Sequence, residues 1–231
     1  MRIKGLDIFR GIAIILMIIY HFCYFLNEFN YIHQNFDYNL FWRSFRAIIV
    51  TMFIFASGVS LHIAYHKGIN WQKFLKRVAL LGAVATAISV ATYIVYPNRW
   101  VYFGIIHYIF ASTIIGLLFI NRFFISLIVA ILLFVLYFGG FVDYAIIIRE
   151  FVKLLHLPSY TVDLVPLFPW FWVTSFALAI SAKNWHKVIF NKIDSDSKIA
   201  NAVAFMGRHS LVIYLTHLPL LFGLFLLVRG F

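Results

Sequence analysis

Residues 6–22 read LDIFRGIAIILMIIYHF, an apolar run interrupted by Asp7, Arg10 and His21. Arg10 and His21 are eleven positions apart. At about 100° per residue this is roughly 20° past three full turns, so the two side chains share a helix face about 16 Å apart along the axis. Asp7, three residues before Arg10, falls on nearly the same face. Ionisable groups in a membrane helix cost about 2.5–3.5 kcal/mol each on insertion scales, which makes function the default expectation. Arg10 snorkelling to the aqueous boundary beside Asp7 would explain the arginine without chemistry. It would not explain a coplanar histidine three turns deeper.

The composition sets the surroundings of that run. Hydrophobic residues make up 64% of the 231 and charged ones 12%, with a mean hydropathy of +0.93. A soluble domain of this size could not hide so much apolar surface. Seven apolar runs approach the ~20 residues a bilayer core requires: 6–26, 47–65, 78–96, 100–120, 123–142, 164–182 and 211–228. Arg2 and Lys4 precede the first run in the manner of a signal sequence. No small-x-small cleavage site follows, and Asn27, Glu28 and Asn30 come next, so a retained span is expected. The expected fold is all-α: one polytopic membrane domain over residues 1–231 with about seven transmembrane helices.

The formal charge of +11 does not point to nucleic acid, because its distribution follows the membrane. With the N-terminus inside, the inner segments hold 13 of the 19 basic residues. The outer segments hold Arg43, Arg46, Arg99, Arg149, Lys153 and Arg229. That bias predicts an N-in, C-out orientation and a lipid bilayer as the partner of the excess charge. Cys23 is the sole cysteine, which excludes disulfides and cysteine-built zinc sites. His62 and His66 are spaced i, i+4 beside Lys67 and are expected to be an exposed interfacial pair, with no metal. Short surface helices are expected around Ile147–Leu155, where apolar residues recur at helical spacing, and in DSDSKIANAVAFMG (194–207), with Gly207 as its stop.

Several further residues are able to carry chemistry. His107, in FGIIHYIF (103–110), falls in the outer half of its run, as His21 does. Asp163 marks the outer mouth of DLVPLFPWFW (163–172), where Pro166 and Pro169 would free backbone carbonyls. Two imidazoles and a carboxylate at one depth suit general-base chemistry, with the carboxylate holding a histidine tautomer. Taken alone, His107 also fits a histidine that only bonds across helices. In the last run, Arg208 and His209 stand at the inner lip, while Tyr214 and His217, three apart, face one way further in. Arg10 and Arg208 together would make a cradle for phosphates, or else two snorkelling arginines.

The segments RIKGLDIFRGIAIILMIIYHF (2–22), FIFASGVSL (53–61), FGIIHYI (103–109), DLVPLFPWF (163–171) and GRHSLVIYLTHLPL (207–220) resemble, in order, the heparan-alpha-glucosaminide N-acetyltransferase catalytic-domain family, including its prokaryotic members. The resemblance implies an acyl-CoA-dependent transmembrane acetyltransferase in the plasma (inner) membrane of a prokaryote. It would move the acetyl group of cytoplasmic acetyl-CoA to a hydroxyl or amine, of a sugar-like acceptor, on the far side. His21, Asp163 and His107 are then the catalytic candidates, and Arg10 and Arg208 the donor-binding ones. Asp7, Trp170, Tyr214, His217 and His33 are the candidates for contact with the acceptor. The lysosomal branch resembles this chain less at His21, where it carries asparagine with its working histidine further on, and that makes His33 a rival. A homodimer is left open. The rival classes are a proton-coupled transporter and a non-catalytic membrane accessory subunit; a retinal-type photoreceptor fails for want of a lysine in 211–228.

Overall fold

The structure, a computed structural model, describes residues 3–229, with the backbone alone at Arg229. Arg2 and the side chain of Arg229, both counted in the charge distribution, lie outside the described residues. The elements are α1 (Lys4–Glu28), α2 (Leu40–Tyr65), α3 (Trp71–Val95), α4 (Ile105–Gly116) with a 3-10 turn at Leu117–Phe119, α5 (Phe123–Phe138), α6 (Tyr144–Leu154), α7 (Leu167–Ala182), α8 (Trp185–Ile193), α9 (Lys198–Arg208) and α10 (Ser210–Arg229). No strand forms among the described residues beyond one isolated parallel bridge, Phe103 to Leu164.

Each of the seven apolar runs becomes a helix, but four reach spanning length: α1, α2, α3 and α10. The apolar helices 105–119, 123–138 and 167–182 have at most 16 residues, a rise of about 24 Å against a hydrocarbon core of about 30 Å. Two of them start late for visible reasons. Residues 99–103 lie extended against 161–165: the Val162 N–H donates to the Arg99 carbonyl (3.1 Å), the Val165 N–H to Phe103 (2.9 Å), and the Thr161 hydroxyl to Trp100 (2.8 Å). In α7, Phe168 precedes Pro169, and a residue before proline is pushed out of the helical region; its φ of −91° and ψ of 130° delay the regular helix to Pro169.

The chain divides into two compact units, one made of the residues up to Ala56 and from Lys187 on, the other of Ser57–His186. In the first, α1 packs against α9 and α10. The α1–α9 contact is backbone to backbone: Gly11 meets the carbonyl of Val203, and Gly207 meets the carbonyl of Asp7. Small residues permit this closeness, and dispersion contacts reward it. Gly207 is therefore not a stop. It sits inside the last turn of α9, which runs on to Arg208 and is capped by His209. Ser197 caps the other end, accepting from the Ala200 N–H at 3.1 Å. Ile14, Met17 and Ile49 form the apolar centre, flanked by Ile213 and Tyr214. Lys4 bridges Asp194 and Asp196, tying the α8–α9 connection to the start of α1, and its ammonium holds the Asp196 carboxyl below the usual carboxylate range.

In the second unit α5 packs on α7, and α4 packs on both α3 and α7. Leu61, Tyr65, Phe74 and Leu178 form its core. The buried Tyr108 hydroxyl meets Thr174 Oγ1 at 2.6 Å, which satisfies both polar groups inside an apolar packing. Helix α6 appears where a surface helix was expected, capped by Asp143 and exposing Ile147, Phe151, Leu154 and Leu155. Helix α8 was not foreseen.

Candidate functional site

Helix α1 carries the polar face that its sequence implies. Arg10 Nη1 lies 3.4 Å from Asp7 Oδ1, one turn away; the carboxylate side chain is 4% exposed and the arginine 26%. Asp7 thus neutralises part of the Arg10 charge from a buried position. Arg208 is exposed, its guanidinium 5.7 Å from the Phe205 ring centroid. Because Gly207 rests on the main chain of Asp7 and Gly11, Arg208 leaves α9 beside the turn of α1 that bears Arg10.

Three turns along α1, His21 Nδ1 is 3.0 Å from the Met17 carbonyl and 3.1 Å from His217 Nε2 on α10. The imidazole centroids are 4.9 Å apart. His217 Nδ1 lies 2.7 Å from the Tyr214 carbonyl and 3.2 Å from that of Ile213. Tyr214 packs toward Ile14 and Met17, with its ring 5.8 Å from His217. His33 is exposed in the loop after α1. That loop returns alongside the helix, since the Phe36 ring is 5.7 Å from Tyr20 and 5.4 Å from Tyr24. The imidazole pair is the feature the sequence did not disclose. The available signal was a second histidine well inside an apolar run.

In the other unit, Asp163 and His107 meet at the start of α4. Asp163 Oδ2 accepts the Ile105 N–H at 3.0 Å and so caps the helix from fifty-eight residues away. His107 Nδ1 faces the Gly104 N–H at 3.3 Å, and an amide can only donate, so the ring proton is on Nε2. That proton goes to Ser89 Oγ at 2.9 Å, and the serine hydroxyl donates to the Val101 carbonyl at 2.8 Å. Both nitrogens of His107 are thus engaged in joining α3, the extended segment and α4. Trp170 is half-buried and offers its carbonyl to the Tyr108 hydroxyl at 3.3 Å.

One expectation needs correction. His62 is not an exposed partner of His66: it is 3% exposed, on the stretch of α2 whose Leu61 and Tyr65 are buried with Phe74 and Leu178. Its ring stacks on His66 at 5.1 Å, with His186 at 6.0 Å. Among the described residues no group of three or more His, Cys, Asp or Glu is arranged to hold a metal ion.

A family model described as heparan-alpha-glucosaminide N-acetyltransferase, catalytic, matches residues 2–219. Comparison with curated proteins and with solved structures gave no match. The matched region takes in every segment that carries the polar groups described above, on a scaffold with four helices of membrane-spanning length. The chain therefore belongs to the heparan-alpha-glucosaminide N-acetyltransferase catalytic family, a family of membrane acetyltransferases.

Proposed function

We propose that the protein transfers an acetyl group from cytoplasmic acetyl-CoA to a hydroxyl or amine of a sugar-like acceptor on the opposite side of the membrane, with His21 at the chemical step. The observation that carries this is the polar face of α1, which has a partly neutralised arginine at one end and, about 16 Å along, a histidine held by its Nδ1. Family membership supports the acetyl group, and the 13-to-6 distribution of basic residues supports the sidedness.

Acetyl-CoA supplies an activated thioester carbonyl with a thiolate leaving group. The chain supplies the rest. Arg208, exposed, and Arg10, steadied by Asp7, fit the phosphates as two guanidiniums. The rise from Arg10 to His21 is the stretch a pantetheine arm would cover. Through its Nε2, His21 takes the acceptor's proton as the acceptor oxygen or nitrogen bonds to the acetyl carbon; the carbon–sulfur bond breaks and the proton passes to the thiolate. Alternatively Nε2 itself attacks the carbonyl and the carbon–sulfur bond breaks to release the thiolate; the acceptor then bonds to the acetyl carbon as the carbon–Nε2 bond breaks, and its proton passes to the thiolate. Asp163, His107 and Trp170 serve by fixing the 99–104 and 161–170 segments, and Tyr214 by seating α10 against α1. His33, exposed in the loop whose Phe36 returns to Tyr20 and Tyr24, contacts the acceptor.

In proteoliposomes given labelled acetyl-CoA and glucosamine as probe acceptor, His21→Ala is expected to cut turnover about a hundredfold or more while acetyl-CoA still stabilises the protein. That stabilisation is about 2.7 kcal/mol at a hundredfold the dissociation constant, and Arg10→Ala and Arg208→Ala should each diminish it. Full activity of His21→Ala alongside an inactive His33→Ala would move the chemical role to the loop. No labelled product from the unaltered protein with any amino or hydroxyl sugar would favour the accessory-subunit class instead.

A further inference from the structure

We infer that His217 is a positioning residue for His21: it accepts the Nδ1 proton of His21 and so holds the ring with its Nε2 lone pair free for the acetyl-transfer step. The inference rests on the proposed role of His21 and assigns His217 to the enzyme's own machinery instead of to the acceptor.

The tautomers are fixed by which atoms are able to donate. A backbone carbonyl only accepts, so His217 Nδ1, 2.7 Å from the Tyr214 oxygen and 3.2 Å from that of Ile213, must carry a proton. The neutral ring then has its lone pair on Nε2. That Nε2 is 3.1 Å from His21 Nδ1, which is also 3.0 Å from the Met17 carbonyl. Two acceptors converge on one nitrogen, so His21 Nδ1 carries the proton and shares it between them. Neutral His21 is left with its lone pair on Nε2, where either general-base or nucleophilic chemistry requires it. The chain of bonds runs His21 Nδ1–H to His217 Nε2, then His217 Nδ1–H to Tyr214 O, and ends on the backbone of α10.

Met17 and His217 do different work in this scheme. The Met17 carbonyl lies on the same helix as His21 and selects the tautomer. His217 comes from α10, is 4% exposed, and fixes the plane of the ring from outside α1. When Nε2 takes a proton, the resulting imidazolium keeps its Nδ1–H bonded to the His217 lone pair. A carboxylate would give more, but an extra buried charge between apolar helices is expensive, and a neutral imidazole avoids it.

Two measurements test this. First, nitrogen-15 NMR of histidine-labelled protein in nanodiscs should show His21 protonated at Nδ1 and bare at Nε2, with a coupling between His21 Nδ1 and His217 Nε2 across the hydrogen bond. A proton on His21 Nε2 would overturn the proposal. Second, His217→Leu should lower kcat about tenfold to a hundredfold with little change in KM for either substrate. His217→Gln, which places an amide oxygen where Nε2 stands, should recover most of that loss. In a His21→Ala background, His217→Leu should change nothing further. Unchanged kcat in His217→Leu, or an equal loss whether or not His21 is present, would reduce His217 to a packing residue. The NMR measurement needs no turnover. If His21→Ala proves active, the functional role falls while the hydrogen-bonded pair is still tested separately.

Discussion

A single added methyl group is enough to separate α1 from α9. A Cβ at Gly207 would fall onto the Asp7 carbonyl, with its carbon 2.7 Å away and the Gly11 nitrogen at 2.9 Å. These are main-chain atoms that cannot turn aside, so relief requires the helices to part. Gly207→Ala is expected to destabilise by about 1–3 kcal/mol, read as a fall in the melting temperature of the detergent-solubilised protein. Gly223→Ala is the control. It lies in α10 with nothing within 4 Å of the added atom, and alanine favours a helix interior by up to about 1 kcal/mol. Equal behaviour of the two variants would deny the close approach. Glycine near a helix end signals a stop and a tight crossing alike, which is why Gly207 was open to the wrong interpretation. Arg10 and His21 were legible because one helix relates them by arithmetic alone. His21 and His217 are 196 positions apart on different helices, and no periodicity connects them.

Among the elements, α4 shows how a helix start is set from a distance. Asp163 caps it through the Ile105 N–H, where the exposed positive end of the helix dipole favours a carboxylate. Asp163→Ala is expected to cost about 0.5–2 kcal/mol, whereas Asp163→Asn keeps an acceptor oxygen and should remain close to the original in both stability and turnover. If Asn and Ala lose turnover equally and heavily, Asp163 is acting on the reaction and not on the helix. The same region marks the limit of what the sequence discloses about elements. Apolar runs are local signals, and all seven became helices. The extended pairing of 99–103 with 161–165 is a long-range arrangement, so the late start of α4 could not be read from its run alone, whereas the delay in α7 follows locally from Phe168 preceding Pro169. Helix α8 is not legible because Trp185–Ile193 is short and carries Lys187 and Lys192 within it, a pattern that also fits a polar connection.

For the whole molecule, the charge distribution, counted over seven spans, predicts an orientation. Residues 73–77 and 194–198 should face the cytoplasm. Single cysteines there, in a Cys23→Ser background, should resist an impermeant thiol reagent on intact cells and react after permeabilisation. Rapid labelling of intact cells would invert the orientation and put the two arginines on the wrong side for a cytoplasmic donor. The pairing of α1 with α9 and α10 also bears on how the protein is made. Helix α1, bearing Asp7, Arg10 and His21, leaves the ribosome well before the helices that pack on it, which come from beyond Lys187. At about 5–20 residues per second, the interval between them is on the order of ten seconds or more. Over that time the polar stripe needs some other shelter, in the insertion machinery or at the lipid boundary, and the residues from Ser57 to His186 can fold before it finds its permanent neighbours.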